Sequence, residues 1–449
     1  MSDAVQVSTI SFLSIVVKEL WGLSAREEAT VTSSVFQGMF VGSLFWGSLA
    51  DKYGRRPMYL CTTVSIATMA VLTALSSNKE QLTCCLFLMG VGISGFVIPF
   101  DMLAEFCSTK RRAKNLLMLN YFWALGSSSV PVVAKFTIGK DYGYWRLFVL
   151  ASGVPCVCSA VMGYYYAPES PRWLCEKGFY DEAKNVVAKA EEVNGVSLPV
   201  VKSQTSFVSA ISEADRHKEE GGRKTWASSY VKLLSKDYRI TTLKLWVVWF
   251  CKSFTYYGMV LVTTKIFESD DEDFNYDKVL ISASSEVIAT TMLIFLSGRY
   301  GRTSIAQYSY VLGGSFIFLF CKTESVLFSV IGRMAMVLAV NITWVGTPEL
   351  YDTDVRTTGH SVCSAMSRLG ALLSPFVVYS ESMTEAQVGL TFLIVASTAG
   401  VLSSTLPETK GQIMGKQILT PKSEKDTKFK PSREQIFQDL ENYRQIDSD

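Results

Sequence analysis

Stretches of about twenty residues without charge, separated by short charged loops, dominate this chain. Uncharged or nearly uncharged runs lie at roughly 29–50, 57–77, 81–100, 115–134, 147–167, 245–264, 279–297, 303–321, 325–347, 357–379 and 386–406. A helix needs about 20 apolar residues to cross a bilayer, so each run predicts one membrane-spanning helix. A further apolar run, Ala4 to Val17, is too short to span alone. It has no basic leader and runs into Lys18 and Glu19, which argues against a signal peptide. It reads as the second half of a first helix. Outside the runs, 175–195 predicts an amphipathic surface helix, with Val186, Val187 and Ala190 at helical spacing and Gly195 as its stop.

Composition agrees with a polytopic, all-α membrane protein. The chain is 49% hydrophobic, with charge concentrated in 201–240 and 408–449. A net charge of +2 offers nucleic acid nothing to bind. The ten cysteines lie mostly inside apolar runs and show no metal-ligand spacing, so they read as small buried hydrophobes. No metal site and no cofactor is expected. The two histidines, His217 and His360, have no nucleophile partner, which argues against an enzyme.

Lysine and arginine in the short loops set the orientation. Lys52, Arg55, Arg56, Lys110, Arg111, Arg112, Lys114, Arg299, Arg302 and Arg356 lie on one side. Arg26, Lys79, Lys140, Lys278 and Lys322 lie on the other, together with the acidic run at 268–273. The first side is expected to be cytoplasmic. It carries the long loop and the C-terminal tail.

The loops also repeat. Glu105 and Arg112 in "AEFCSTKRRAK" have the spacing of Glu349 and Arg356 in "PELYDTDVRTTG". "DKYGRR", with Gly54, is echoed by "GRYGRT", with Gly301, and "APES" at 167–170 by "LPET" at 406–409. The three echoes keep their order at an offset of roughly 240 residues. This predicts two parallel six-helix halves: 1–167, then a cytoplasmic loop at 168–240, then 241–406, then a disordered tail at 407–449. Ile436, Leu440 and Tyr443 share one possible helix face within that tail.

These motifs resemble a known family. "GSLADKYGRR" is similar to the loop 2–3 signature of the major facilitator superfamily. "PESPRWLCEKGFYDEAKNVVAKAEEVNG" resembles the segment after helix six in sugar porters and their organic-ion relatives. "WFCKSFTYYGMVL" and "TPELYDTDVRTTGHSVCSAMSRLGALLSPFV" resemble helices seven and ten to eleven of the synaptic vesicle 2-related and organic ion transporters. The resemblance reaches about Gly411. It implies the major facilitator fold, alternating access, a small organic solute, and a coupling proton or ion. It also places Asp3 mid-way along helix one, so that the chain starts inside that helix. Gly298, Ser108 and Asp352 depart from the family pattern, which puts an Asp at the first position and a Pro at the other two.

Two sets of residues carry the expected chemistry. Gly47 and Gly54 should let helices approach closely. Asp51 sits at its own helix C-terminus, where an anion is unfavourable, and the resemblance gives it the N-terminus of helix eleven as partner. Arg55, Arg56 and Arg112 would pair with Glu105 and Glu169. Arg299, Arg302 and Arg356 would do the same with Glu349 and Glu408 in the second half. Together these charges read as a cytoplasmic gate; the plainer alternative is that they only set topology. Solute-facing candidates are ionisable or aromatic residues deep in the runs. They are Arg368, Lys252, Glu286, Tyr256, Tyr257, Trp249 and Asp3, with Asp101 and Asn341 weaker. Lys252 and Glu286 can equally pair with each other, and Arg333 reads as an anchor near a helix end. Arg368 favours an organic anion or zwitterion. A sugar porter and a non-transporting sensor are the alternatives.

Overall fold

The computed structural model describes residues 1–106, 112–138, 143–195, 231–268, 274–351 and 355–410. The tail face at 436–443, most of the polar stretch after Gly195 and the acidic run from 269 lie outside the described residues.

The first half holds α1 (Ser2–Trp21), α2 (Ala25–Ser43), α3 (Trp46–Tyr53), α4 (Arg55–Ala74), α5 (Lys79–Ile93), α6 (Val97–Phe106), α7 (Arg112–Thr137) and α8 (Trp145–Tyr166). Two surface helices follow, α9 (Pro171–Glu176) and α10 (Tyr180–Asn194). The second half holds α11 (Arg239–Ile266), α12 (Tyr276–Arg299), α13 (Arg302–Thr323), α14 (Val326–Glu349), α15 (Arg356–Val378) and α16 (Glu385–Ser404). Among the described residues, 11 helices are long and apolar enough to span a membrane.

That set differs from the run count at two places. The run 29–50 is not one straight helix: it breaks at Leu44–Phe45 into α2 and α3. The short first run gains length because Lys18–Trp21 continue the helix to a left-handed stop at Gly22. At about 1.5 Å per residue, α1 is long enough to cross. Its first turn nevertheless lies at mid-depth: Gly126, half-way along α7, faces the Met1 carbonyl. The amphipathic segment is split as well. Gly178, at φ +84°, separates α9 from α10, and Gly195 ends α10 as expected.

Packing follows a common plan in the two halves. α4 packs on α8 as α13 packs on α16, and α2 on α5 as α12 on α14. Between halves, α2 meets α15 and α7 meets α12. Small residues set the tightest crossing. A Cβ on Gly90 would sit 2.0 Å from the Val35 carbonyl oxygen, and one on Gly38 would sit 1.9 Å from that of Phe87. Backbone cannot yield as a side chain does, so Gly90→Leu is expected to cost more than about 3 kcal/mol. Loss of folded, monodisperse protein on purification checks this. Gly47 does not act in this way: space is open around it, because it lies on the exposed side of α3.

The side bearing the loop 168–240 is termed the loop face, and its opposite the far face. The far face is shut between halves. The Ser14 and Tyr379 hydroxyls bond at 2.8 Å, and the Thr264 hydroxyl donates to Ser11 at 3.1 Å. Phe12 packs on Phe274 and Tyr276, and Lys135 pairs with Asp277 at 2.7 Å. On the loop face the halves meet through aromatic rings, Phe96 and Phe100 against Trp344. Among the described residues, no ion pair joins the halves there.

Candidate functional site

The loop-face charges form two matching clamps. Glu169 accepts from the backbone N–H of Arg55 at 3.0 Å and of Arg56 at 3.2 Å, which fills the donor positions left open at the start of α4. Glu408 does the same for α13, accepting from Arg302 N–H at 2.8 Å and Thr303 N–H at 3.1 Å. A glycine makes room in each case. A Cβ at Gly54 would lie 2.5 Å from Glu169, and one at Gly301 would lie 2.2 Å from Glu408. Glu169 therefore caps a helix and meets backbone N–H groups. Arg56 donates to the Tyr164 carbonyl and Arg356 to the Tyr351 carbonyl, while Arg302 and Glu349, expected to pair, lie 3.5 Å apart. Arg299 is exposed. The side chains of Glu105 and Arg112 lie outside the described residues.

Burial would raise the Glu408 carboxyl. Hydrogen bonds from the Thr303 hydroxyl and from the N–H groups of Lys410, Arg302 and Thr303 outweigh it and hold the group at about 2, against an ordinary 4.5. The folded value lies below the unfolded one, so the clamp stabilises fully above the ordinary value of 4.5 and is lost as pH falls towards about 2. Glu408→Gln is expected to lower thermal stability at neutral pH and to flatten this acid limb. A stability profile of both proteins across that window checks it.

Asp51 is 66% exposed and pairs with Arg55 of its own half at 2.9 Å. The expected contact with the N-terminus of α15 is not made.

The bundle centre holds most of the deep candidates. Arg368 is 4% exposed and lies beneath the Phe96 ring, at 5.3 Å from its centroid, with one guanidinium nitrogen unpartnered. Tyr257 and Asp3 are its polar neighbours. Lys252 is 2% exposed and sits over Trp249 at 3.4 Å and Trp344 at 5.0 Å. Such cation–π contacts stabilise a buried ammonium by about 2 kcal/mol or more. His360 packs edge-on against both tryptophans. Trp249 is further fixed by donating to Thr347 at 2.9 Å.

Lys252 and Glu286 do not pair. Glu286 bonds Arg333 at 2.8 Å and accepts from the Tyr256 hydroxyl at 2.9 Å. The difference arises from direction: Lys252 turns to Trp249 of α11 and Trp344 of α14, while Glu286 meets Arg333 of α14, about three turns from Trp344. Arg333 is no anchor at a helix end. It is 2% exposed, and it reaches across to Ser127 of the first half at 2.8 Å. Trp123 crosses likewise, donating to Tyr256 at 2.9 Å. Sequence reasoning missed Ser127, Trp123, Trp344 and Phe96 because nothing separates a pore-lining residue from a lipid-facing one within an apolar run. For Arg333 a signal existed: it is the lone charge in its run.

A family described as sugar (and other) transporter matches residues 7–417. The chain belongs to this family. The transporter is 31% identical over 440 residues to svop-1 of Caenorhabditis elegans, covering 92% of this chain and 81% of the relative. It is 30% identical to the synaptic vesicle 2-related protein of Xenopus laevis, covering 92% and 77%. It is 28% identical to organic cation/carnitine transporter 7 of Arabidopsis thaliana, covering 94% and 92%. The xylose transporter XylE of E. coli shares its fold, with a TM-score of 0.70 at 15% identity over 92% of this chain and 96% of that one. This protein is thus a multi-pass membrane transporter and not an enzyme.

Proposed function

We propose that the transporter carries a small organic anion or zwitterion by alternating access, with the loop face cytoplasmic. The observation that carries this reading is the charge balance at the bundle centre. Arg333 and Glu286 neutralise each other at contact distance, whereas the buried Arg368 and Lys252 have no carboxylate at ion-pair distance among the described residues. A buried cation without a full partner is costly, and an anionic solute would relieve that cost. Trp249, Trp344, Phe96 and Tyr257 supply flat apolar walls for an organic body. The Arabidopsis relative is named an organic cation/carnitine transporter, and carnitine is a zwitterion.

The test is uptake of a labelled panel of mono- and dicarboxylates and betaines into proteoliposomes, with Arg368→Ala alongside. Accumulation of acids that depends on Arg368 supports the reading. Equal uptake by the variant, or uptake of cations alone, refutes it.

Alternating access gives Asp51 its second role. In the state seen here it is exposed, so Asp51→Asn should change stability by less than about 0.5 kcal/mol. In the state closed at the loop face it would meet the α15 N-terminus, and the substitution removes that contact. Cysteine accessibility should therefore rise on the loop face and fall on the far face. Unchanged accessibility on both faces would refute the latch.

A further inference from the structure

Glu28 is a buried carboxylate that the solute site does not use. It lies in the first turn of α2 and is 2% exposed. Its ionic partner is Lys18 of α1 at 3.7 Å, beyond hydrogen-bond reach, and Lys18 is itself 40% exposed. The α2 N-terminus favours an anion, but Glu27 takes that position, closing a capping box with Ser24 and pairing with Lys79.

The remaining charges around Glu28 come from the second half. Lys265 of α11 and Glu268 just beyond it act on Glu28, as does the Tyr379 hydroxyl after α15. Lys265 is already occupied, at 2.8 Å from Glu385 and 2.9 Å from the Val378 carbonyl. Glu28 thus faces Lys18 at 3.7 Å while Glu385 holds Lys265 at 2.8 Å, so Glu28 has the looser of these two ion pairs.

This cluster sits inside the far-face closure, where Ser14 meets Tyr379 and Ser11 meets Thr264. Parting the halves there would bring Glu28 into water. A group buried in one state and solvated in the other binds its proton with different affinity in the two, and pH then biases the equilibrium. The geometry points to Glu28 as a proton-binding site that controls the far-face gate: the carboxylate takes a proton from the far-face solution on closing and returns it there on opening. Acid on that side holds the gate shut. Because Glu28 lies at the far end of α2, the proton enters and leaves by the same face and is not itself carried across.

The test uses full-length protein in proteoliposomes, with Ser11→Cys as a reporter labelled by a membrane-impermeant maleimide from the far face and mapped by peptide mass. The rate with Glu28 intact is divided by the rate with Glu28→Gln added, which cancels the titration of the thiol. The ratio should be near one at about pH 5 and rise about tenfold by about pH 8, the change produced by one unit of difference between the two states. A ratio flat across this range overturns the proposal. If Glu28→Gln does not fold, the divisor is the rate for a free peptide carrying the same cysteine, and a flat ratio overturns it equally. Glu28→Asp should keep the rise and shift its midpoint. The assay contains no solute, so its outcome is independent of which solute is carried.

Discussion

Uptake of an organic acid is expected to fall roughly a hundredfold when Arg368 is replaced by alanine. Truncating one partner of a buried, hydrogen-bonded charge pair costs about 2–5 kcal/mol, and about 3 kcal/mol corresponds to two decades in affinity. Arg368 qualifies because it lies mid-way along α15, is 4% exposed, and keeps a guanidinium nitrogen free. The protein itself should tolerate the change, since the Arg368 side chain holds no carboxylate at ion-pair distance among the described residues. Arg368→Lys should recover only part of the activity, because an ammonium lacks the planar fork that grips a carboxylate. Lys252→Gln should cost less, about tenfold, since the lysine is already stabilised by Trp249 and Trp344. Saturation curves for the three variants in proteoliposomes check the order. A larger loss for Lys252→Gln than for Arg368→Ala would move the solute one turn towards the loop face.

The spans were legible in the sequence because lipid imposes one simple demand, a long uncharged helix. The paired clamps were legible for a related reason. Gly54 with Glu169 and Gly301 with Glu408 recur in the same order, and the fold repeats the interaction they make. What the carboxylates bind was not legible. The sequence places acids among arginines, and charge alone suggests side-chain pairing. The exposed N–H groups at the start of α4 and α13 compete for the same oxygens and win, because they are fixed in place and need no side-chain ordering. The deep pairs failed for a similar reason. Lys252 and Glu286 are the right charges on adjacent helices, but which face of a helix a residue takes is hidden when the whole run is apolar. Glu28 carries no signal in the sequence, because it stands beside Glu27 in the first turn of a helix, where acids are ordinary.

The Glu286–Arg333 pair should be the most sensitive point in the fold. Both side chains are almost wholly buried, at 1% and 2% exposure, and 2.8 Å apart. Removing one member of such a pair leaves the other charged and unpaired, at a cost of about 3–5 kcal/mol. Glu286→Ala and Arg333→Met should each reach that range, read as a drop in the denaturant midpoint of purified protein. The double variant should lose much less than the two added together, because no bare charge remains. A double-mutant cycle isolates that coupling. The same cycle between Glu286 and Lys252 should give almost none, since the lysine lies against tryptophan rings instead. The consequences reach beyond stability. Arg333 holds Ser127, and Tyr256 links Glu286 to Trp123, so both ends of the pair bond to the first half. The Arg333–Ser127 and Trp123–Tyr256 hydrogen bonds cross between the halves, so the proposed alternating access would strain them, whereas the ion pair lies wholly in the second half. Ser127→Ala should therefore leave the coupling between Glu286 and Arg333 intact while shifting the balance between the two open states. Finding that Ser127→Ala weakens the ion pair as much as it shifts the balance would show that the pair and the rocking motion are one element.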